Sequence, residues 1–442
     1  MGTKPHRVLV CGLGASGLAA ARLLRGKGVE VLVADDADTE ELRGRAEEAR
    51  ELGCDVRLGG IGRLEGWFEA AVLSPGLALD GPLPTAVRAR GIPAISELEL
   101  GWGHWEGRTL AVTGSNGKSS VAKALADCFR AAGATGVPCG NYGLPICRAA
   151  EENRGAEWLV AEASSFQLET CVRFRPDIAV LVNVLPNHLD RHGTFEAYAR
   201  TKAKIFARQR AGDAALVPAE WAVRMREWSR GRGEWKTFGA EAGADYVYAP
   251  GRLTERGGDG IDVSGTYFDN EVLGPNAAAL YGAARSAGLG PEAIRAALLG
   301  FEPLPHRAQV VHEADGVRYM DDSKATNLSA LAASVRMQDR PVWLIAGGRP
   351  KEKDFSAAAE ALGGRVCGAF LIGEAADAMA AAWGGAIACE KCGTLERAVA
   401  AARRAARPGD AVLLAPACTS YDQFRSYAER GDAFRKWASE KD

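Results

Sequence analysis

No apolar run near 18 residues interrupts this 442-residue chain, and no basic-then-apolar leader opens it. Membrane insertion and secretion are therefore not expected, and a cytoplasmic protein is. "MGTKPH" lacks the hydroxyl residue that a myristoylation signal needs at its sixth position. An excess of one charge is missing too: 54 Lys and Arg face 56 Asp and Glu, a formal net charge of −2. That near-balance leaves no electrostatic footprint for nucleic acid or an anionic membrane. Any phosphate must be held by local groups. The ten cysteines lack metal-ligand spacing. Cys389 and Cys392 form a C-x-x-C, but no second pair or nearby histidine completes a zinc site. Cys11, Cys367 and Cys418 lie in apolar runs, as reduced cytosolic thiols do. Internal repeats and low-complexity tracts are also absent.

What is present describes a globular protein, 47% hydrophobic and 25% charged, long enough for about three domains. Short β-branched runs alternate with alanine-rich stretches of helical period, which predicts parallel α/β architecture. A Rossmann-like domain is expected over 1–97, with strands at 7–11, 30–34 and 70–73 and a turn at "LSPG", 73–76. A central P-loop ATPase-like domain with a mostly parallel sheet is expected over 98–304, with strands at 109–113, 158–162 and 177–183. Residues 219–272 lack helical period and read as hairpins and loops, and Pro-punctuated "GFEPLPHR", 300–307, reads as a linker. A second Rossmann-like α/β domain is expected over 305–442, with strands at 342–346, 367–372 and 411–414.

Two glycine loops compete for a nucleotide. "VLVCGLGASGLAA" places Gly12-x-Gly14-x-x-Gly17 between a strand and a helix, and Asp35 closes the next apolar run, where a dinucleotide-binding unit keeps its ribose-binding acid. A nicotinamide oxidoreductase would share this loop, but no hydride-transfer site is recognisable downstream. "AVTGSNGKSS" is the stronger signal. Backbone N–H groups of Gly114, Ser115, Asn116 and Gly117, together with the following helix N-terminus, make an anion cradle. Lys118 brings a point charge for the β/γ-phosphates, with the hydroxyls of Ser119 and Ser120 behind it. The strict P-loop glycine is replaced by Val112. Further on, "WLVAE" ends a strand in Glu162, suited to Mg²⁺. "NHLDRHG" brings His188, Asp190 and His192, either a helix-face pair or surface residues, and "ARTKAKIF" puts Lys202 and Lys204 on a helix.

Seven blocks then occur in one order: "TGSNGKSS" (113–120), "GNYGLP" (140–145), "EASSFQLE" (162–169), "NHLDRHG" (187–193), "PHR" (305–307), "DDSKATN" (321–327) and "APACTSYDQF" (415–424). Together they resemble the Mur ligase superfamily, and "SSFQLE" with "DSKATN" resembles its D-glutamate-adding branch. The resemblance implies ATP-driven amide formation between D-glutamate and UDP-N-acetylmuramoyl-L-alanine through an acyl phosphate, in cytoplasmic peptidoglycan precursor synthesis by a monomer. It implies that Gly14, Ala15, Ser16 and Gly17 cradle the uridine diphosphate, with Asp35 near the uracil and Ser74 and Gly76 closing the pocket. Asn141 and His188 would touch the acyl substrate. ATP would meet residues 114–120, Asn276, Arg307, Asp322 and Lys324. Two Mg²⁺ would be held by Ser119, Glu162, His188 and a carbamylated Lys202. D-Glutamate would meet Thr326, Lys351, Ser420, Tyr421 and Tyr427, and catalysis would rest on Lys118, Glu162, His188 and Lys202.

The chain departs from the family pattern at several places. "LGPNAAALYGAA" stands where His-Asn-x-x-Asn is usual, so Asn276 takes the first Asn position and Ala279 the second. Ser120 replaces Thr, Asn187 replaces Asp, and Asp36, Ala37 and Asp38 offer no cation beside Asp35. A sister ligase using L-glutamate or D-aspartate fits the same motifs, and a non-catalytic nucleotide binder would not need all of them.

Overall fold

Alternation of apolar strands with amphipathic helices produces three separate sheets in the computed structural model, which describes residues 6–60, 64–258, 260–352 and 354–440. The chain divides into two compact units, Met1–Phe268 with Gly274–Gly300, and Asp269–Leu273 with Phe301–Asp442. The first unit carries two sheets and the second carries one.

The first sheet comprises β1 (Arg7–Cys11), β2 (Glu30–Ala34), β3 (Asp55–Arg57), β4 (Ala70–Leu73) and β5 (Ala94–Ser96), all parallel in the order β3-β2-β1-β4-β5. Strands β1, β2 and β4 keep the predicted limits. The chain reverses direction across the sheet between β1 and β4, and ligands bind at such a switch point in open α/β sheets. Apolar side chains cover both faces, Val8 and Val10 on one and Leu9 and Cys11 on the other.

The second sheet holds β6 (Arg108–Thr113), β7 (Gly136–Gly140), β8 (Trp158–Glu162), β9 (Ile178–Leu181), β10 (Ala214–Pro218), β11 (Glu234–Gly239), β12 (Tyr246–Ala249), β13 (Arg252–Glu255) and β14 (Gly260–Asp262). Its order is β14-β13-β12-β11-β10-β9-β6-β8-β7, parallel from β7 to β12, with β12, β13 and β14 antiparallel. Residues 219–272 therefore contain the expected hairpins, but also a helix, Ala222–Ser229, and the parallel strand β11. The reading as loops failed because only Met225 and Ser229 of that helix are buried, so its helical period is faint. The phosphate-loop helix, Lys118–Ala131, is covered by two helices from much later in the chain, Gly274–Ser286 and Pro291–Leu299.

The third sheet contains β15 (Gln309–Ala314), β16 (Val317–Asp321), β17 (Val342–Gly347), β18 (Val366–Ile372), β19 (Cys389–Gly393) and β20 (Ala411–Leu414). Their order is β15-β16-β20-β17-β18-β19, parallel except for β15. The Pro-punctuated 300–307 stretch has no helix or strand. All ten cysteines are free thiols, Cys389 and Cys392 among them, and burial raises the latter to about 11. No helix among the described residues is long and apolar enough to cross a membrane.

Candidate active site

The first glycine loop follows β1 at the switch point. A Cβ on Gly17 would lie 1.9 Å from the Gly12 carbonyl oxygen, so only glycine lets the helix Ala15–Gly26 start so close to the strand. Gly12 adopts φ +89°, in the left-handed region. Asp35 accepts hydrogen bonds from the N–H groups of Leu13 (2.8 Å) and Ala37 (3.0 Å), and Ser74 Oγ donates to the Gly12 carbonyl (3.0 Å). Gly14 and Gly76 are open: an added Cβ would meet nothing at Gly76 and only Arg45 Nη1, 4.0 Å away, at Gly14. Asp36, Ala37 and Asp38 bring no cation to this side, but Arg45 does. It reaches back from the helix Glu40–Glu51, pairs with Glu41 (2.8 Å) and donates to the Leu13 carbonyl at 3.4 Å. Sequence distance hid it, since 31 residues separate Gly14 from Arg45.

The second glycine loop leaves β6. Gly117, at φ +81°, caps the helix Lys118–Ala131, and a Cβ there would lie 2.5 Å from Asn276 Nδ2. The single asparagine of the altered "LGPNAAAL" stretch is thus packed under the phosphate loop. Asn183 braces the loop, accepting from the N–H groups of Ser115 (3.1 Å) and Asn116 (3.0 Å). Lys118 Nζ donates to the Ser115 carbonyl at 2.9 Å. The Ser115 hydroxyl meets Tyr198 OH at 3.0 Å.

Around this loop the predicted residues of the central region converge. Glu162 ends β8 with 1% of its surface exposed. Its Oε1 accepts from Asn141 Nδ2 at 2.8 Å, while its Oε2 is buried with no hydrogen-bond partner. An unpartnered carboxylate oxygen is costly unless something fills the place, and a hard cation does so. Among the described residues no group of three or more His, Cys, Asp and Glu side chains is placed to hold a metal ion. A cation at Glu162 would therefore draw further oxygens from Ser119, from a modified lysine or from ligands. Glycines set the approach of Asn141: Gly140, at φ +90°, would put a Cβ 2.3 Å from the Glu162 carbonyl oxygen.

Lys202 is buried, 1% exposed, on the helix Phe195–Ala203. Its Nζ donates to the Gly114 carbonyl at 2.7 Å and lies 4.4 Å from the centre of the Tyr198 ring. Burial, and next the neighbouring Lys118, push its pKa well below the ordinary lysine value, against the pull of Glu162. Lys204, by contrast, is exposed and donates to the Glu169 carbonyl at 2.5 Å.

His188 does not form a helix-face pair with His192. It stands just before the short helix Leu189–His192 at φ +55°, a conformation rare for a residue with a side chain and frequent at functional sites. Asn187 Oδ1 accepts from its N–H at 3.0 Å, and its ring meets Phe166 edge-on, 4.8 Å between centroids.

Sequence reasoning overlooked Arg191. Its guanidinium makes an ion pair with Glu169 (2.6 Å), lies 4.1 Å above the Phe166 ring and donates to the Pro75 carbonyl at 3.2 Å. It ties the turn after β4 to the segment carrying His188. Nothing in the spacing of "NHLDRHG" marks it, because its partners are 22 and 116 residues away.

The remaining predicted residues belong to the second unit. Asp322 follows β16. Burial pushes it up to about 6, although Ser334 donates a hydrogen bond to it and Arg307 lies near. Lys324 Nζ lies 3.9 Å from the centre of the Tyr427 ring. Thr326 stands on the same loop as Asp322 and Lys324, Lys351 follows β17, and Ser420 is buried after β20. Tyr421 is 64% exposed.

Residues 112–274 match the family model described as Mur ligase middle domain, and residues 306–418 match that of the Mur ligase, glutamate ligase domain. A relative from Rubrobacter xylanophilus is 41% identical over 442 residues, covering 98% of each chain. One from Acidobacterium capsulatum is 39% identical over 458 residues, covering 98% of this chain and 96% of its own. Both bear the name UDP-N-acetylmuramoylalanine–D-glutamate ligase. Among solved structures, the MurF ligase of Thermotoga maritima in complex with ADP is similar at a TM-score of 0.62 and 18% identity, over 92% of this chain and 94% of that one. The UDP-N-acetylmuramate-alanine ligase of the same organism gives 0.61 and 16% over 99% and 100%. At those identities the structural likeness speaks for the fold.

Proposed function

The chain belongs to the Mur ligase family of ATP-dependent ligases, and on that premise we propose that it joins D-glutamate to UDP-N-acetylmuramoyl-L-alanine, releasing ADP and phosphate. The observation that carries the reading is Glu162, a buried carboxylate with one unpartnered oxygen, in a site that also gathers the phosphate loop, Lys118 and Lys202. In this reading the three sheets serve three domains, 1–97 for the uridine substrate, 98–304 for ATP and 305–442 for the amino acid.

The substrate's alanyl carboxylate attacks the γ-phosphorus, the bond to the β–γ bridging oxygen breaks and ADP leaves as the acyl phosphate forms. The deprotonated amine of D-glutamate then attacks the carbonyl carbon, phosphate leaves, and the remaining amine proton is lost to solvent. Two anions must meet in the first step. Lys118 holds positive charge against the transferring phosphoryl group, where it is worth most as charge develops. Backbone N–H groups of residues 114–117 and the helix N-terminus bind the phosphates. Asn141 and His188 orient the acyl end. Mg²⁺, held by Ser119, Glu162, His188 and a carbamylated Lys202, supplies the remaining positive charge when bound. Carbamylation needs a neutral amine, which the lowered pKa of Lys202 favours, and it turns that side chain from cation to anion.

In the second unit, Arg307, Asp322 and Lys324 serve ATP, while Thr326, Lys351, Ser420, Tyr421 and Tyr427 serve D-glutamate. Gly14 to Gly17, Asp35, Ser74 and Gly76 hold the uridine diphosphate, with Arg45 as an added cation. The same reading makes the protein a cytoplasmic monomer in peptidoglycan precursor synthesis.

Phosphate release from ATP tests the proposal. It should require both UDP-N-acetylmuramoyl-L-alanine and D-glutamate, and L-glutamate and D-aspartate should not replace the latter. Release independent of the UDP substrate, or a preference for another amino acid, would overturn it.

A further inference from the structure

Arg430 is fully buried, 1% exposed, in the first turn of the helix Tyr427–Ser439, yet it makes no ion pair among the described residues. Burial pushes its pKa down to about 10. Its donors are spent on two loops. Nε donates to Ser323 Oγ (2.9 Å) and Nη2 to the Ser323 carbonyl (2.9 Å). Nη2 also donates to the Cys418 carbonyl (3.1 Å), and Nη1 to that of Thr419 (3.2 Å). A third loop is bound in through Thr419, which exchanges backbone hydrogen bonds of 3.0 Å with Arg349. Gly348 lies against the same guanidinium: a Cβ there would be 3.1 Å from Nη1.

These loops follow β16, β17 and β20, three neighbouring parallel strands, at the carboxyl edge where α/β sheets bind ligands. Asp322 and Lys324 flank Ser323, Ser420 follows Thr419, and Lys351 lies two residues beyond Arg349. The surroundings are built for closeness. Next to Arg430, a Cβ on Gly431 would lie 2.1 Å from His306 Nδ1, which itself pairs with Asp321 Oδ2 at 2.6 Å. A planar fork with five donors in fixed directions can span carbonyls on two loops, and an ammonium cannot reproduce that geometry.

We propose that Arg430 is the positioning residue of the second unit: it fixes the spacing between the Asp322–Lys324 loop and the Ser420 loop, so that nucleotide and amino-acid contacts depend on one guanidinium. The inference rests on the roles given to those loops under the proposed function.

The test uses the full chain with Arg430→Lys and Arg430→Met. Both variants should raise KM for ATP and for D-glutamate together, tenfold or more, and leave KM for the UDP substrate within twofold. A rise in only one of the two, or an equal rise for all three substrates, overturns the proposal. Hydrogen exchange gives a readout that needs no activity. Amides of 322–326 and 418–421 should exchange at least tenfold faster in either variant, while those of 114–119 stay unchanged. Faster exchange in one loop alone also overturns it. Should Arg430→Met fail to fold, Arg430→Lys carries both measurements. A wild-type chain that ignores D-glutamate refutes the proposed function instead, and the exchange result still decides the role of Arg430.

Discussion

Replacing Glu97 by glutamine should stabilise the first unit by about 3 kcal/mol at pH 8 and change it little at pH 4.5. Glu97 opens the helix Glu97–Gly103, which runs from the first sheet toward the second. Its Oε1 accepts from the Cys147 N–H at 2.8 Å, at the start of the helix Ile146–Glu152, and its Oε2 is buried without a partner. Burial pushes the carboxyl from its ordinary 4.5 to about 7, and the hydrogen bond from Cys147 only partly opposes this. The unfolded chain gives up the proton near 4.5, while the folded chain keeps it to about 7. Between those values the folded state binds more protons, so stability falls as pH rises and levels off above 7. The interval of about 2.5 pH units, at about 1.4 kcal/mol each, gives the magnitude. Glu97→Gln stays neutral throughout and keeps the acceptor for Cys147. Urea unfolding of both proteins at pH 5 and pH 8, followed by tryptophan fluorescence, measures the difference. An equal gap at both pH values, or a wild type that gains from this group on going to pH 8, would refute the reasoning.

Gly17→Ala should weaken the UDP substrate at least tenfold in calorimetry without changing ATP binding, because the added Cβ would lie 1.9 Å from the Gly12 carbonyl oxygen; NADH should bind neither protein. Lys118→Ala should lower the single-turnover rate of acyl-phosphate formation at saturating ATP by at least a hundredfold, and an unchanged rate would reduce the lysine to a binding role. Lys202→Ala should be similarly impaired. In protein equilibrated with ¹³C-bicarbonate, a carbamate carbon signal should appear for the wild type and be missing from Lys202→Ala.

Strands β1, β2, β4, β8 and β20 were legible to the residue, because continuous apolar runs ending in turn chemistry mark buried parallel strands. The three-residue strands β3 and β5 and the glycine- and proline-rich β7 were not. Three of five residues in "GVPCG" are glycine or proline, and pairing with β8 outweighs that local preference. Both glycine loops could be read because their key glycines answer backbone demands, the positive φ of Gly12 and Gly117 and the close approach of Gly17 to the Gly12 carbonyl. Arg45, Arg191, Asn183 and Arg430 could not, since what each does is fixed by carbonyls, amides and rings far away in sequence. Lys202 looked like its neighbour Lys204. The family motif singled out Lys202, and the fold adds that it is buried while Lys204 is exposed.

The cover over the phosphate-loop helix has a consequence for synthesis. All five strands of the first sheet have been made by Ser96, and the phosphate loop by Gly117. Asn276 and the two helices that lie over the loop's helix come about 160 residues later. At roughly 5–20 residues per second, a ribosome needs on the order of 8–30 s to make that stretch. During this time the phosphate-loop helix Lys118–Ala131 lacks the two helices that pack on it in the finished protein. A nascent chain that already carries the whole glycine-lysine motif therefore has no finished phosphate loop until Asn276 and those helices have been made.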